Sequence, residues 1–231
     1  MEAGIERILV PGWDLASSAA ALELAARHAP LVKAAVGVHP HHAAQTDERA
    51  WQELESLIAD PRCVAVGEIG LDFFRNLSPP DVQRAAMARQ LDRAAGRGLP
   101  VLVHDREAHD EVTDLLLAWE GGLDRPARGV LHAFSGDAAM AVALTARGFL
   151  VSFALPLAFR SAAGPRAAAP LVAPGSFLVE TDAPYLGPER DGRNEPTTVL
   201  RVVGELARLR EAEPEAVATD VRGAFDRLVG E

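Results

Sequence analysis

A single cysteine, Cys63, is all the chain contains, so no disulfide can form within it. It sits in an apolar run, where a thiol acts as a small buried hydrophobe rather than a nucleophile, and it agrees with a reducing, cytoplasmic setting. Aromatic residues make up only 5% of the chain. That is little material for an extended single-strand platform, so any nucleic acid is expected to be held at its end. Long apolar runs are also missing: no stretch reaches about 18 residues, so nothing spans a membrane. The opening MEAGIERILVPG carries acids and lacks the apolar core of a signal peptide. Positive charge is scarce. A formal net charge of -10 excludes a broad electrostatic grip on nucleic acid, but leaves room for a local phosphate site built from a metal and a few arginines.

What is present is a chain of 231 residues, 48% hydrophobic, close to the ~250 of one barrel domain. A single domain over 1–231 is expected. Short apolar runs alternate with helical stretches. Strands are expected at Ile5 to Val10 (stopped by Pro11 and Gly12), Leu31 to Val38, Cys63 to Gly67, Pro100 to Val103, Gly129 to Leu131, Phe149 to Phe153 and Ser176 to Glu180. Asp14 is placed to cap a helix running to about His28. Further helices are expected from Asp47 to Ala59 and from Pro80 to about Arg97, the second stopped by Gly98. Others are expected from Glu107 to Trp119 and from the Ser135-Gly136-Asp137 cap to Gly148, with two amphipathic ones at the end. Pro156 to Pro174 reads as a loop with one helix. This alternation predicts a parallel α/β fold of seven strand-helix units.

The central stretch is VAVGEIGLDFFR, Val64 to Arg75. A short strand ends there in Glu68, followed by a Gly turn and a second acid, Asp72. The same grammar recurs at VLVHDRE, VLHAFSG and FLVETDAPYL. Glu68, His104, His132 and Asp182 thus each follow a different strand, and a barrel points all of them into one mouth. Two imidazoles and two carboxylates suit Zn, Mn or Mg better than a thiolate-preferring metal. Such an ion polarises an ester oxygen and acidifies water, and Asp182 is placed to take the proton. Each residue also has a plain structural use. Glu68 could pair with Arg75 or Arg106, Asp182 could cap a turn before Pro184, and a lone histidine could simply be hydrogen-bonded. His39 and His41 either line the substrate cleft or serve a turn. Arg106 either grips a phosphate or pairs with Asp105 or Glu107. Tyr185 either stacks on a base or covers the barrel end, and the arginines from Arg190 to Arg193 are read as solvated.

The ordered motifs GVHPH, GEIGLDFF, VHDREA, HAFSG, GFLVSF, ETDAPYL and RNEP resemble those of the TatD family of metal-dependent hydrolases over essentially the whole chain. The resemblance implies a TIM-type (β/α)8 barrel and one or two divalent ions (Mg, Mn or Zn). It also implies phosphoester hydrolysis, typically as a 3'-5' DNA exonuclease acting on DNA ends. It further implies that Glu68, His104, His132 and Asp182 are metal ligands and that Glu68 and Asp182 are catalytic. Deacylation of D-aminoacyl-tRNA or another ester is the alternative activity. No membrane or obligate protein partner is implied.

One part of the family pattern, a first strand ending in D-x-H-x-H, has no counterpart near the start of this sequence, where the only H-x-H is His39-Pro40-His41. The expectation is therefore a barrel whose first strand is missing from the chain, with Met1 an internal residue of a longer protein. A non-catalytic truncated barrel used for binding is the rival of another class.

Overall fold

The computed structural model describes residues 4–185, 187–188 and 193–230. Seven strands and eight α-helices follow one another along the described residues, alternating up to the last helix. They are β1 (Ile8–Pro11), α1 (Leu15–Arg27), β2 (Val32–Val36), α2 (Glu48–Ile58), β3 (Cys63–Asp72), α3 (Pro80–Arg97), β4 (Val101–Arg106), α4 (His109–Ala118), β5 (Gly129–Leu131), α5 (Ala138–Thr145), β6 (Phe149–Phe153), α6 (Ala163–Ala168), β7 (Phe177–Val179), α7 (Val199–Arg210) and α8 (Pro214–Val229). All strand pairs are parallel, in the sequential order β1 to β7. Among the described residues no ladder joins β1 to β7. The seven parallel strands expected from the alternation are present, and they form a curled sheet.

Local chemistry explains the element ends. Asp14 Oδ1 accepts the Ser17 N–H at 2.8 Å, and Ser17 Oγ accepts the Asp14 N–H at 2.9 Å, a reciprocal cap on α1. Asp47 and Asp137 accept from Ala50 and Met140 at the starts of α2 and α5. Gly98 closes α3 in the left-handed conformation.

Side chains alternate across a strand, and two cores result. The outer one packs Val36, Val66, Val103, Phe149, Val151 and Phe177 under the helices. The inner one takes a residue from every strand: Leu9, Ala35, Ala65, Leu102, Val130, Leu150 and Leu178. A flat sheet could not gather those seven, so the sheet is curled. Val221, Ala224, Phe225 and Leu228 of α8 complete this cluster at helical spacing. Cys63 is buried as expected, and burial pushes its thiol up to about 11.

Two expectations shift. Pro11 is the last residue of β1 rather than its stop. The Gly turn expected after Glu68 is absent, because β3 continues through Gly70 to Asp72. Gly70 pairs with His104 in register at a φ of +142°, and an added Cβ would fall on the His104 carbonyl oxygen. Glycine is required there for β3 and β4 to approach. Gly70→Ala should therefore cost roughly 3 kcal/mol or more, read as a lower urea midpoint; an unchanged midpoint would show that the ladder relaxes freely.

Glu205 on α7 contacts Arg208, 2.8 Å away, and Arg166 of α6 at 2.6 Å. Arg208 and Arg166, outweighing partial burial, hold its carboxyl at about 2, below the ordinary 4.5. A folded-state value below the unfolded one stabilises above the unfolded value and is lost as pH falls through the folded one. The contribution should be full above about pH 4.5 and vanish toward pH 2. Glu205→Gln should flatten that part of the acid unfolding profile.

Candidate metal centre

The candidate residues lie at the C-terminal ends of the strands, where parallel α/β sheets place their functional groups. Glu68 is delivered by an irregularity in β3. The ladder to β4 shifts register between Val66 and Ile69, and bulges of this kind re-aim a side chain. The Glu68 N–H donates to the Gly12 carbonyl at 2.7 Å, beyond the end of β1. His104 stands within β4, and His132 directly follows β5. Asp182 follows β7 with a φ of +58°, left-handed for a non-glycine residue and held by a turn in which the Tyr185 N–H donates to its carbonyl at 2.8 Å.

Three imidazoles converge on one carboxylate oxygen. His132 Nε2 lies 2.9 Å from Glu68 Oε1, His104 Nδ1 3.1 Å and His39 Nε2 3.3 Å. A carboxylate oxygen offers about two lone pairs, fewer than the nitrogens facing it. His104 Nδ1 also faces His132 Nε2 at 3.3 Å. His104 Nε2 is buried without a hydrogen bond, with Asp72 Oδ2 3.5 Å away. Crowded acceptor-capable nitrogens around a buried carboxylate, one left unsatisfied, fit a cation better than they fit one another. Two groups have ligand atoms close enough to hold an ion: His39, Glu68 and His104, and His132, Glu180 and Asp182.

The electrostatics follow from burial and neighbours. Burial opposes ionisation of Glu68, yet His132, His104 and His39 hold its carboxyl well below the ordinary range. Burial resists charge on His132 as well, but Glu68 and Glu180 push its proton affinity far up. His39 moves the other way, lowered by burial and by the neighbouring His104 and His41 against the pull of Glu68. Asp182 is raised, first by burial and then by the Glu180 and Glu68 charges, despite His132.

Of the residues singled out from sequence, Glu68, His104, His132 and Asp182 meet in this cluster. His39 joins it directly. His41 instead bonds Asp72, Nε2 to Oδ2 at 2.6 Å. Arg106 lies on the rim with its guanidinium 4.3 Å from the Phe74 ring centroid. Tyr185 is exposed at the same mouth. Arg190 falls outside the described residues.

The sequence reading gave Glu180 no role, although its Oε1 takes both His132 Nδ1 and the Ala133 N–H at 3.0 Å. A carboxylate behind a histidine fixes the ring and its tautomer. The E-x-D spacing of ETDAPYL was the available signal. Asp72, a second acid after Glu68 in the motif, also has a supporting part. Its Oδ1 takes the N–H groups of Phe74 and Arg75, and its Oδ2 faces His41 and His104.

A curled parallel sheet with a mixed imidazole and carboxylate cluster at its C-terminal edge defines the class of metal-dependent α/β hydrolases. The family model for TatD related DNase matches residues 1–230, and the chain belongs to that family. It is 37% identical over 220 residues to the 3'-5' ssDNA/RNA exonuclease TatD of Yersinia pseudotuberculosis, covering 92% of this chain and 84% of that one. It is 41% identical over 223 residues to a metal-dependent hydrolase TatD of Mycobacterium tuberculosis, covering 94% and 83%. The crystal structure of a TatD homolog from Escherichia coli superposes with a TM-score of 0.91 at 28% identity, covering all of this chain and 88% of that one. These matches do not bear out the expected absence of an N-terminal strand and H-x-H motif, since the family match runs from residue 1. No described helix is long and apolar enough to cross a membrane.

Glu180→Gln should weaken divalent-metal binding by about 10- to 100-fold with the fold intact, measured by chelator competition alongside circular dichroism. Wild-type affinity in that variant would mean that His132 needs no orienting carboxylate.

Proposed function

We propose that the chain is a divalent-metal-dependent phosphoesterase that removes nucleotides from the 3' end of DNA. The observation that carries this reading is the convergence of His39, His104 and His132 on Glu68 Oε1, with Asp182 beside them. Glu68, His104, His132 and Asp182 are the proposed ligands. Two sets of three donor side chains support room for one or two ions of Mg, Mn or Zn. When bound, such an ion supplies Lewis-acid polarisation of a phosphoryl oxygen and a lowered water pKa.

The protein's own part is positioning and proton transfer. Burial and two like charges give Asp182 a raised proton affinity, which suits a carboxylate that must accept a proton from attacking water. Glu180 holds the His132 ring, and Asp72 holds His41. Arg106 and Tyr185 stand at the mouth to meet the phosphate and base of the entering strand. The relatives' names support the nucleic-acid substrate, and the single buried cysteine supports a reducing cytoplasmic setting.

The test is a 5'-labelled single-stranded oligonucleotide incubated with each of the three ions. The expected product is a ladder shortening from the 3' end. Asp182→Asn should lower kcat by about 100-fold or more, and Glu68→Gln should abolish turnover and weaken metal binding. No cleavage with any ion, or full turnover in Glu68→Gln, would sink the proposal.

A further inference from the structure

The chain has three tryptophans, one tyrosine and eight phenylalanines. Among the described residues the exposed ones are Trp13, Phe74, Phe159 and Tyr185, at 45%, 60%, 55% and 68%. All four stand in segments that follow strands on the side of the candidate metal centre: after β1, β3, β6 and β7 respectively. An apolar ring left in water costs free energy, and this confinement to one end of the sheet marks a contact surface.

Three of the four are anchored by their own backbone to residues of the centre. The His39 N–H donates to the Trp13 carbonyl at 2.9 Å, and the Tyr185 N–H donates to the Asp182 carbonyl at 2.8 Å. The Phe74 N–H donates to Asp72 Oδ1 at 3.0 Å. Cations accompany the rings in a chain of net charge -10. Arg75 follows Phe74 and donates its N–H to the same Asp72 oxygen at 2.7 Å. Arg106 stacks on the Phe74 ring, and Arg160 follows the exposed Phe159. A flat ring with a guanidinium on it, as at Phe74 and Arg106, suits a base and its neighbouring phosphate in an unpaired strand. A duplex keeps its base faces stacked on one another and cannot offer them.

Resting on the phosphoesterase reading above, we propose that Trp13, Phe74 and Tyr185 form a base-stacking rim around the metal centre. The rim grips the last unpaired nucleotides of a single strand with little regard to base identity. Aromatic residues are few, but they are placed where a strand end must enter.

The experiment measures binding of the full chain to two labelled strands of roughly six nucleotides, within the range of known single-strand sites. One carries thymine on every sugar and the other is abasic; both have phosphorothioate linkages to resist cleavage. Wild type should bind the thymidine strand at least about 10-fold more tightly than the abasic one. Trp13→Ala, Phe74→Ala and Tyr185→Ala should each lose about 5- to 30-fold on the thymidine strand and little on the abasic one. Tyr185→Phe should restore binding. Thymidine-strand binding should quench tryptophan fluorescence, and Trp13→Phe should remove that quench.

Equal wild-type affinity for the two strands, or alanine variants that bind the thymidine strand as wild type does, overturns the rim. A chain that cleaves unmodified DNA but ignores the bases keeps the phosphoesterase reading and loses the rim. One that prefers the thymidine strand but cleaves no DNA keeps the rim and loses that reading.

Discussion

Burying a carboxylate costs several kcal/mol unless charge and hydrogen bonds compensate it. Glu68 is such a group, and the mouth of the sheet is arranged around it. Its compensation comes from histidines on three separate segments, so it exists only once β2, β3, β4 and β5 are in register. The backbone contributes as well. The register shift in β3 aims the side chain, and Gly12 takes the Glu68 N–H from beyond β1. Two supporting carboxylates stand around this centre. Glu180 holds His132 and Asp72 holds His41, each through a hydrogen bond between groups distant in sequence.

The scaffold beneath that arrangement is built mainly from apolar side chains. Small residues such as Ala35 and Ala65 line the inner face of the sheet, and α8 brings Val221, Ala224, Phe225 and Leu228 against it. The outer face buries larger side chains, including Phe149, Phe153 and Phe177, under the helices. The chain is acidic as a whole, and at the mouth Arg106 lays its guanidinium on the exposed Phe74 ring. A single local contact of that kind can meet a phosphate while the acidic surface elsewhere discourages non-specific attraction.

Much of this was legible in the sequence because the signals are local. Asp14 and Asp137 cap the helices they precede, and Gly98 ends α3, since each acts on backbone groups within a turn. Glu68, His104, His132 and Asp182 could be picked out because each interrupts or follows an apolar run. The misreadings have physical causes too. Gly70 resembles a turn residue in isolation, yet its absent side chain serves the approach of β4. Glu180 resembles a strand end, and its role depends on His132, which lies 48 residues away.

The sequence by itself determined the parallel α/β alternation, the helix caps, the family and the four principal candidates for the metal centre. All of these rest on periodicity, on chemistry within a few residues, or on motifs read in order. Tertiary structure alone decided that the sheet is curled, that three imidazoles share one carboxylate oxygen, that His39 belongs to the cluster while His41 is held by Asp72, and that the aromatic rings left exposed follow strands on the side of the metal centre. Those facts depend on distances between segments far apart in the chain, which only strand pairing and the curl of the sheet bring together.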